Sequence, residues 1–330
     1  MSRSPKIIPR AIGLVALLFL AGCYTVPETG RISLVLVPRG EEAAMGVEQF
    51  RGIKKSEPVS TDPIANERVQ RVGRRIANAV GDTLPDAQWE FVVFESKDAN
   101  AFALPGGKVG VYTGLLKLAE SDDELAIVMG HEIGHVIARH GGERLSQGIL
   151  LAAGGVLLNE ALRDNSKRGV WLAAYGAGAT LGVILPYSRF DESEADEIGL
   201  IIARHGGERL SQGILLAAGG VLLNEALRDN SKRGVWLAAY GAGATLGVIL
   251  PYSRFDESEA DEIGLKLAAR AGFDPQAAIT FWVRMTATKG DDPRLPTILS
   301  THPADETRIQ RLKELMPKVM PVYEQAGEDF

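Results

Sequence analysis

Two histidines in the sequence stand at the spacing that a single metal ion requires. His131 and His135 bracket the pattern H-E-x-x-H, and the capping box Ser121–Glu124 followed by an apolar run predicts a buried helix that ends at Gly141-Gly142. Side chains four residues apart on a helix share one face, so both imidazoles can reach the same ion. The pattern therefore indicates a metal site.

A third ligand must come from another element, because a catalytic zinc ion takes three protein ligands and keeps a fourth position for water. The pattern E-x-x-x-D occurs twice, as Glu192 with Asp196 and as Glu257 with Asp261. Each pair is predicted to lie on a capped helix with both carboxylates on one side. One carboxylate can then bind the metal while the other orients a ligand histidine. The only cysteine, Cys23, excludes a multi-cysteine metal site.

The E-x-x-x-D pattern is doubled because residues 137–200 recur without a change at 202–265. Structural repeats diverge and usually come in more copies, so two identical blocks indicate a recent tandem duplication or an error in assembling the gene. The second block does not recreate H-E-x-x-H, which predicts one metal site per chain. Without the extra 65 residues the chain has the length of one ordinary domain.

The two copies offer alternative third ligands. Glu192 follows His135 by 57 residues and Glu257 follows it by 122, so spacing favours the first copy. Continuity favours the second, because only that copy runs without interruption into the downstream sequence. Loop closure costs little more for a longer loop, so an excursion of 65 residues is tolerable. We predict Glu257 as the ligand with Asp261 beside it, and keep Glu192 with Asp196 as the alternative.

Three segments together resemble a known protein family. Residues 124–147, 253–277 and 300–308 (ELAIVMGHEIGHVIARHGGERLSQ, SRFDESEADEIGLKLAARAGFDPQA and STHPADETR) are similar to the zinc metalloproteases that include HtpX, Oma and the CAAX prenyl protease. Within that family they resemble the periplasmic lipoprotein branch of BepA and LoiP. The resemblance implies an α+β fold, mainly helical and zincin-type, over residues 64–330, with a small β-sheet beside the H-E-x-x-H helix.

The resemblance also implies roles for individual residues. His131 and His135 become ligands of one Zn²⁺ per chain, the glutamate of E-x-x-x-D becomes the third ligand, and its aspartate supports the site. Glu132 becomes the general base, and His302 matches a histidine that can approach the metal. His140, just past the motif, is interpreted as structural.

A predicted hairpin offers a place for substrate. Residues 101–104 and 109–113 flank Pro105-Gly106-Gly107 and are expected to form its two strands. If the second strand is a sheet edge near the site, it can bind an extended peptide by β-augmentation. The residues predicted to contact substrate are Val109, Gly110, Val111 and Tyr112. Such recognition of backbone predicts loose sequence specificity.

The N-terminus has the pattern of a lipoprotein signal. A basic segment, Met1–Arg10, precedes the apolar run Ala11–Ala21, which is too short to span a membrane as a mature helix. Leu20–Cys23 resembles a lipobox, which predicts a signal peptide over residues 1–22 and lipidation of Cys23. Tyr24, rather than an aspartate, follows the cysteine, and by resemblance to Gram-negative lipoproteins this implies the periplasmic face of the outer membrane. Residues 23–63 are then an N-terminal segment and linker.

Composition narrows the partners. The net charge is −6, with 36 basic and 42 acidic residues, so the chain lacks the basic excess that nucleic-acid binding requires. The uncharged stretch Gly169–Leu185 falls short of a usual membrane span, and we expect a packed hairpin or a membrane-facing surface there. The predicted function is degradation of unfolded or misassembled envelope polypeptides. The alternative is a zinc-stabilised assembly factor or chaperone whose protease activity is lost or latent, with the outer-membrane assembly machinery as its partner.

Overall fold

A computed structural model describes residues 22–146, 254–288 and 306–328, together with Ile149, Asn159, Arg163, Ser166, Ile298 and His302. The predicted signal peptide, the stretch Gly169–Leu185 and the alternative pair Glu192 and Asp196 lie outside these residues. So does the greater part of the repeated block. The boundaries predicted for the domains therefore stay predictions.

The chain divides into two compact units. One contains Met1–Tyr24, Ser33–Leu36 and Gly141–Pro251; the other contains Thr25–Ile32, Val37–His140 and Tyr252–Phe330. In the first unit, the backbone N–H of Leu36 donates to Oγ of Ser146 at 2.7 Å. The second unit holds the H-E-x-x-H motif together with Glu257 and His302.

The described helices are α1 (Arg39–Ser56), α2 (Pro63–Val80), α3 (Thr113–Leu118), α4 (Asp122–Ile137), α5 (Arg254–Arg270), α6 (Ala277–Thr288) and α7 (Glu306–Glu328). The strands are β1 (Cys23–Thr25), β2 (Ile32–Leu34), β3 (Glu90–Phe94), β4 (Ala101–Leu104) and β5 (Lys108–Tyr112). Strands β1 and β2 form a two-stranded sheet, and the other three form a second sheet. This mainly helical architecture with small sheets confirms the predicted α+β class. None of the described helices combines the length and the apolar character that crossing a membrane requires.

The three-stranded sheet corrects one prediction. Strands β4 and β5 pair antiparallel, as the hairpin prediction requires, but β3 pairs with the other side of β5 in parallel. The order is β3-β5-β4, so β5 is the central strand. Its backbone groups already bond to neighbours on both sides, and a peptide therefore cannot add to it. The prediction that β5 binds substrate was wrong. It concerned Val109, Gly110, Val111 and Tyr112.

Helix α4 carries the H-E-x-x-H motif and begins as predicted. The hydroxyl of Ser121 accepts a hydrogen bond from the backbone N–H of Glu124 at 3.1 Å, and the carboxylate of Glu124 accepts from the backbone N–H of Glu120 at 2.7 Å. Every residue from Glu124 to His135 is buried. A helix that is buried on all sides fixes its side chains by packing, which suits a helix that must hold two ligands.

Helix α4 ends earlier than the sequence predicts. It stops at Ile137 rather than at Gly141-Gly142, because Arg139 adopts a left-handed backbone with φ of 58°. Such a conformation is costly for a residue with a Cβ and needs support from its surroundings. The guanidinium of Arg139 supplies that support by donating to Oε2 of Glu42 at 2.9 Å and to the carbonyl oxygen of Val37 at 2.6 Å.

Helices α4 and α5 pack with their backbones in contact at glycines. A Cβ atom added to Gly134 would lie 2.8 Å from the carbonyl oxygen of Ala260, and one added to Gly264 would lie 2.6 Å from the backbone nitrogen of His131. Inside a helix, glycine costs about 1 kcal/mol relative to alanine, so its presence at position 134 needs a reason. Close approach of the two helices is that reason. This contact sets the distance between the histidines of α4 and the carboxylates of α5.

Candidate metal centre

Four potential metal ligands converge in the interior of this unit. His131 and His135 project from α4, Glu257 from the first turn of α5, and His302 lies just before α7. One nitrogen or oxygen atom from each side chain lies within 4.8 Å of the corresponding atoms of the other three. All four side chains are buried. They could therefore hold one metal ion out of contact with bulk solvent.

The individual distances show that the donor atoms face a common point. Nε2 of His131 lies 3.1 Å from Nε2 of His135 and 3.1 Å from Nδ1 of His302. Oε2 of Glu257 lies 2.8 Å from Nδ1 of His302 and 3.3 Å from Nε2 of His131. Neutral imidazoles have one donor and one acceptor nitrogen each, and a cation between several acceptors satisfies them all at once.

Two further observations fit a metal ion at this point. Oε1 of Glu257 is buried and has no hydrogen-bond partner in the part of the chain that the structure describes, a costly arrangement unless an ion binds it. Nδ1 of His131 lies 2.8 Å from Oδ1 of Asp261, so that nitrogen carries the proton and Nε2 presents its lone pair to the centre. Imidazole and carboxylate ligands suit zinc and neighbouring divalent ions.

The charges of the site also call for a cation. Burial works to lower the pKa of His302, but the charges of Glu132 and Glu257 outweigh it and raise that pKa to about 10. Two buried carboxylates thus require positive charge between them, which a proton on His302 or a metal ion can supply. Burial lowers the pKa of His135 to about 3, so its imidazole is neutral at pH 7, the form that binds metals.

Asp261 is held by an arginine that no pattern in the sequence singled out. Arg308 donates from Nε to Oδ2 of Asp261 at 2.8 Å and from Nη2 to Oδ1 at 2.6 Å. Its guanidinium stacks 3.6 Å from the centre of the Trp282 ring. Burial raises the pKa of Asp261, but the charge of Arg308 outweighs burial and lowers it. Asp261 therefore stays ionised and can accept the proton of His131 Nδ1.

His140 lies against the site although it was interpreted as structural. Its Nδ1 is 2.8 Å from Nδ1 of His135, and its Nε2 is 2.9 Å from Oε2 of Glu259. On an uninterrupted helix a residue five positions after His135 would point about 140° away from it. The left-handed backbone of Arg139 turns the chain back, and a helical periodicity argument cannot anticipate that turn.

The other predicted site residues have these positions. Glu132 is buried beside the four ligands, with Oε1 at 3.2 Å from Nε2 of His302. Asp261 contacts the outer nitrogen of His131, on the side away from the ligand cluster. Cys23 is exposed and lies at the start of β1. Glu192 and Asp196 lie outside the described residues, so the structure brings together the histidines and the second copy of E-x-x-x-D.

Comparison with known families agrees with this geometry. The model of peptidase family M48 matches residues 63–217 and again residues 197–316. The chain belongs to peptidase family M48. The resemblance drawn from the three sequence segments is thereby confirmed. The first match contains the H-E-x-x-H motif, and the second contains Glu257 and His302, so the M48 pattern extends across both copies of the repeated block.

Named relatives of this M48 chain come from mitochondria and bacteria. It is 30% identical over 250 residues to the mitochondrial metalloendopeptidase OMA1 of Schizosaccharomyces pombe, covering 76% of this chain and 52% of that protein. It is 26% identical over 321 residues to the beta-barrel assembly-enhancing protease of Escherichia coli K12, covering 97% of this chain and 53% of that one. The chain thus spans about half the length of these relatives.

Proposed function

We propose that this M48 chain is a zinc-dependent endopeptidase that cleaves unfolded or misassembled polypeptides of the cell envelope. The observation that carries the proposal is the cluster of His131, His135, Glu257 and His302 with the carboxylate of Glu132 beside it. Among known site chemistries, metal-assisted peptide hydrolysis uses this combination of a buried imidazole and carboxylate set with an adjacent base.

The side chains around the centre divide the work of hydrolysis. A zinc ion bound there supplies a Lewis acid and lowers the pKa of a bound water to about 7. Glu132 accepts the proton of the attacking water and passes it to the leaving amine. Asp261 fixes the tautomer of His131 so that Nε2 stays available as a ligand. Arg308 keeps Asp261 ionised and in place.

His302 has a distinct part in this proposal. Four protein ligands close a zinc site, whereas a catalytic site keeps one position open. Of the four candidates, His302 alone is outside the two packed helices α4 and α5. We propose that His131, His135 and Glu257 hold the metal throughout and that His302 leaves it when water and substrate bind.

The free edge of β4 is the place where we propose that substrate binds. Strand β4 packs against α4 and is an edge strand in the sheet of described residues. An extended peptide can pair with this edge through its backbone, which gives little preference for sequence. Residues Ala101–Leu104 thus replace those of β5 in this role. Loose specificity of this kind suits unfolded chains.

The proposed location follows from the N-terminus and from one relative. Lipidation of Cys23 after removal of residues 1–22 would anchor the enzyme at the periplasmic face of the outer membrane. The exposed position of Cys23 supports this proposal. A beta-barrel assembly-enhancing protease is among the relatives, and by analogy we propose misassembled envelope proteins as substrates.

Cleavage of casein, an unfolded substrate, tests the proposed activity. We expect the full-length protein to cleave it, to lose activity with a chelator and to regain it with Zn²⁺. Glu132→Gln should lower the rate by about 10²- to 10⁴-fold while zinc remains bound. Glu197→Gln, at the corresponding place in the other register of the repeat, is the control and should not differ from the parent. Zinc binding without any cleavage would contradict the proposal and favour the assembly-factor alternative.

A further inference from the structure

A buried chain of polar contacts leads away from the candidate ligand His135. Nδ1 of His135 lies 2.8 Å from Nδ1 of His140, and Nε2 of His140 lies 2.9 Å from Oε2 of Glu259. Both His140 and Glu259 are buried. Glu259 is on α5, two residues beyond the candidate ligand Glu257, so the chain of contacts joins the two ligand-bearing helices.

The hydrogen-bonding capacity of each group fixes the positions of the protons along this chain. An ionised carboxylate can only accept, so Nε2 of His140 must donate to Glu259. In a neutral imidazole the other nitrogen is then an acceptor, and Nδ1 of His140 must accept from Nδ1 of His135. With its proton on Nδ1, His135 has a lone pair on Nε2, the atom that faces the candidate metal centre. The reverse arrangement would place a proton where the metal has to bind.

Glu259 is itself held by the segment that follows β1. Nε of Arg31 donates to Oε2 of Glu259 at 2.7 Å, and Oγ1 of Thr29 donates to Oε1 at 2.5 Å. Arg270 of α5 binds both oxygens of Glu28 in the same segment, at 2.7 and 2.9 Å. Residues 28–31 are thus attached to α5 at two places. Their side chains leave Glu259 with acceptor positions for His140 only in one orientation.

We propose that His140 and Glu259 are positioning residues that select the metal-binding tautomer of His135, and that Thr29 and Arg31 hold Glu259 in the required orientation. This inference rests on the proposed metal site. It gives His135 the same support that Asp261 and Arg308 give His131: an acceptor for the outer nitrogen, itself fixed by a cation. Loss of such outer partners typically lowers metal affinity by about 10- to 100-fold.

Zinc affinity of the full-length chain, measured by competition with a chromophoric chelator, tests the proposal. His140→Phe keeps a ring of similar size but removes the acceptor, and we expect it to weaken Zn²⁺ binding by about 10- to 100-fold. His140→Gln keeps an acceptor oxygen on a chain without a ring, and should recover a large part of that loss. A purely structural role would reverse this order, because the ring would then matter more than the acceptor.

The repeated block supplies a matched control. His205 occupies in the second copy the place that His140 occupies in the first, within the same local sequence. His205→Phe should bind Zn²⁺ as tightly as the parent. Glu259→Gln keeps an acceptor for His140 and should lose less affinity than His140→Phe, with Glu194→Gln as its counterpart in the first copy. Equal affinities for the parent and His140→Phe would overturn the proposal.

A measurement on the parent chain covers the case in which His140→Phe does not fold. In the zinc-loaded protein, nitrogen-15 NMR of the histidine side chains should show His140 protonated at Nε2 and His135 at Nδ1. Protonation of His140 at Nδ1 would overturn the proposal. If the parent chain binds no zinc at all, the proposed metal site fails instead, so the two failures are distinguishable.

Discussion

Oδ1 of Asp261 lies 2.8 Å from Nδ1 of His131, although 130 positions separate the two residues in the sequence. Arg308 binds both oxygens of that carboxylate and brings a third part of the chain to the same point. One ligand histidine is therefore oriented by a buried ion pair. Stability and metal affinity should be coupled at this place, because the same side chains serve both.

Removal of Arg308 tests this coupling. Arg308→Met leaves Asp261 buried without its cation, and we expect a loss of about 3–5 kcal/mol in the free energy of unfolding. Arg311→Met changes an exposed arginine one turn further along α7, whose Nη1 donates to Ser258. It should change stability by less than about 0.5 kcal/mol. Urea unfolding of the metal-free proteins measures both values, and similar losses in the two variants would contradict the prediction.

The third ligand can be assigned by paired substitutions in the two copies. Glu257→Ala should lose zinc upon dialysis, because Glu257 contributes a carboxylate to the cluster. Glu192→Ala should retain about as much zinc as the parent. Zinc content after dialysis, measured by atomic absorption, decides between them. Retention of zinc in both single variants would show that either copy can supply the ligand and would refute the assignment.

The contact between α4 and α5 predicts the effect of a single methyl group. In Gly264→Ala, the new Cβ would meet the backbone of His131 at 2.6 Å and force the helices apart. We expect a destabilisation of about 1–3 kcal/mol together with weaker zinc binding. Gly52→Ala, in α1 where nothing lies within 4 Å of the new Cβ, is the control. It should stabilise the protein by up to about 1 kcal/mol, and a similar gain in Gly264→Ala would exclude the close contact.

The attachment of the segment around Glu28 should depend on pH. A hydrogen bond from Arg270 is the largest influence on Glu28, and it lowers the pKa of that carboxyl below its usual value. A lowered pKa in the folded state contributes stability above the unfolded-state value of about 4.3 and loses it as the pH falls through the folded-state value.

Glu28→Gln should accordingly destabilise the protein by up to about 1 kcal/mol at pH 7, and the difference from the parent should shrink below about pH 4. Unfolding by urea at several pH values measures it. Glu67→Gln, which affects a pair whose nearest atoms are 3.9 Å apart, is the control and should have little effect at any pH. A difference that grew towards acid pH would have the wrong sign.

Lipidation at Cys23 predicts the distribution of the protein between fractions. Several acyl chains on one residue give stable membrane attachment. Cys23→Ala should therefore move the protein from the membrane fraction to the soluble fraction of cells. Immunoblotting after a carbonate wash measures this shift. An unchanged membrane-bound share in Cys23→Ala would mean that another part of the chain holds it there.

Local patterns in the sequence predicted the elements that are closed within a short stretch. The capping box at Ser121 and the hairpin of β4 with β5 depend on neighbouring residues only, and both are present. The central position of β5 was missed because it depends on β3, which pairs in parallel from a distant stretch. Parallel pairing leaves no turn motif between the partners, so no local pattern announces it.

The outer contacts of the site were missed for a related reason. Arg308 belongs to a segment that the family resemblance already included, but its partner Asp261 could be identified only from the fold. His140 was out of reach because the left-handed backbone of Arg139 breaks the helical period on which its orientation would be judged. An arginine in that conformation is uncommon, and its support by Glu42 is a contact between distant parts of the chain.

The meeting of Gly134 with Ala260 has a consequence for how this site tolerates change. Where two helices touch through peptide groups, their separation is set by covalent geometry and no side chain is present that could be exchanged for a larger or smaller one. Substitutions elsewhere in the core can alter packing and stability without altering this distance. The spacing between the histidines and Glu257 is thus shielded from drift in the surrounding sequence, and variation can accumulate around the site without detuning it.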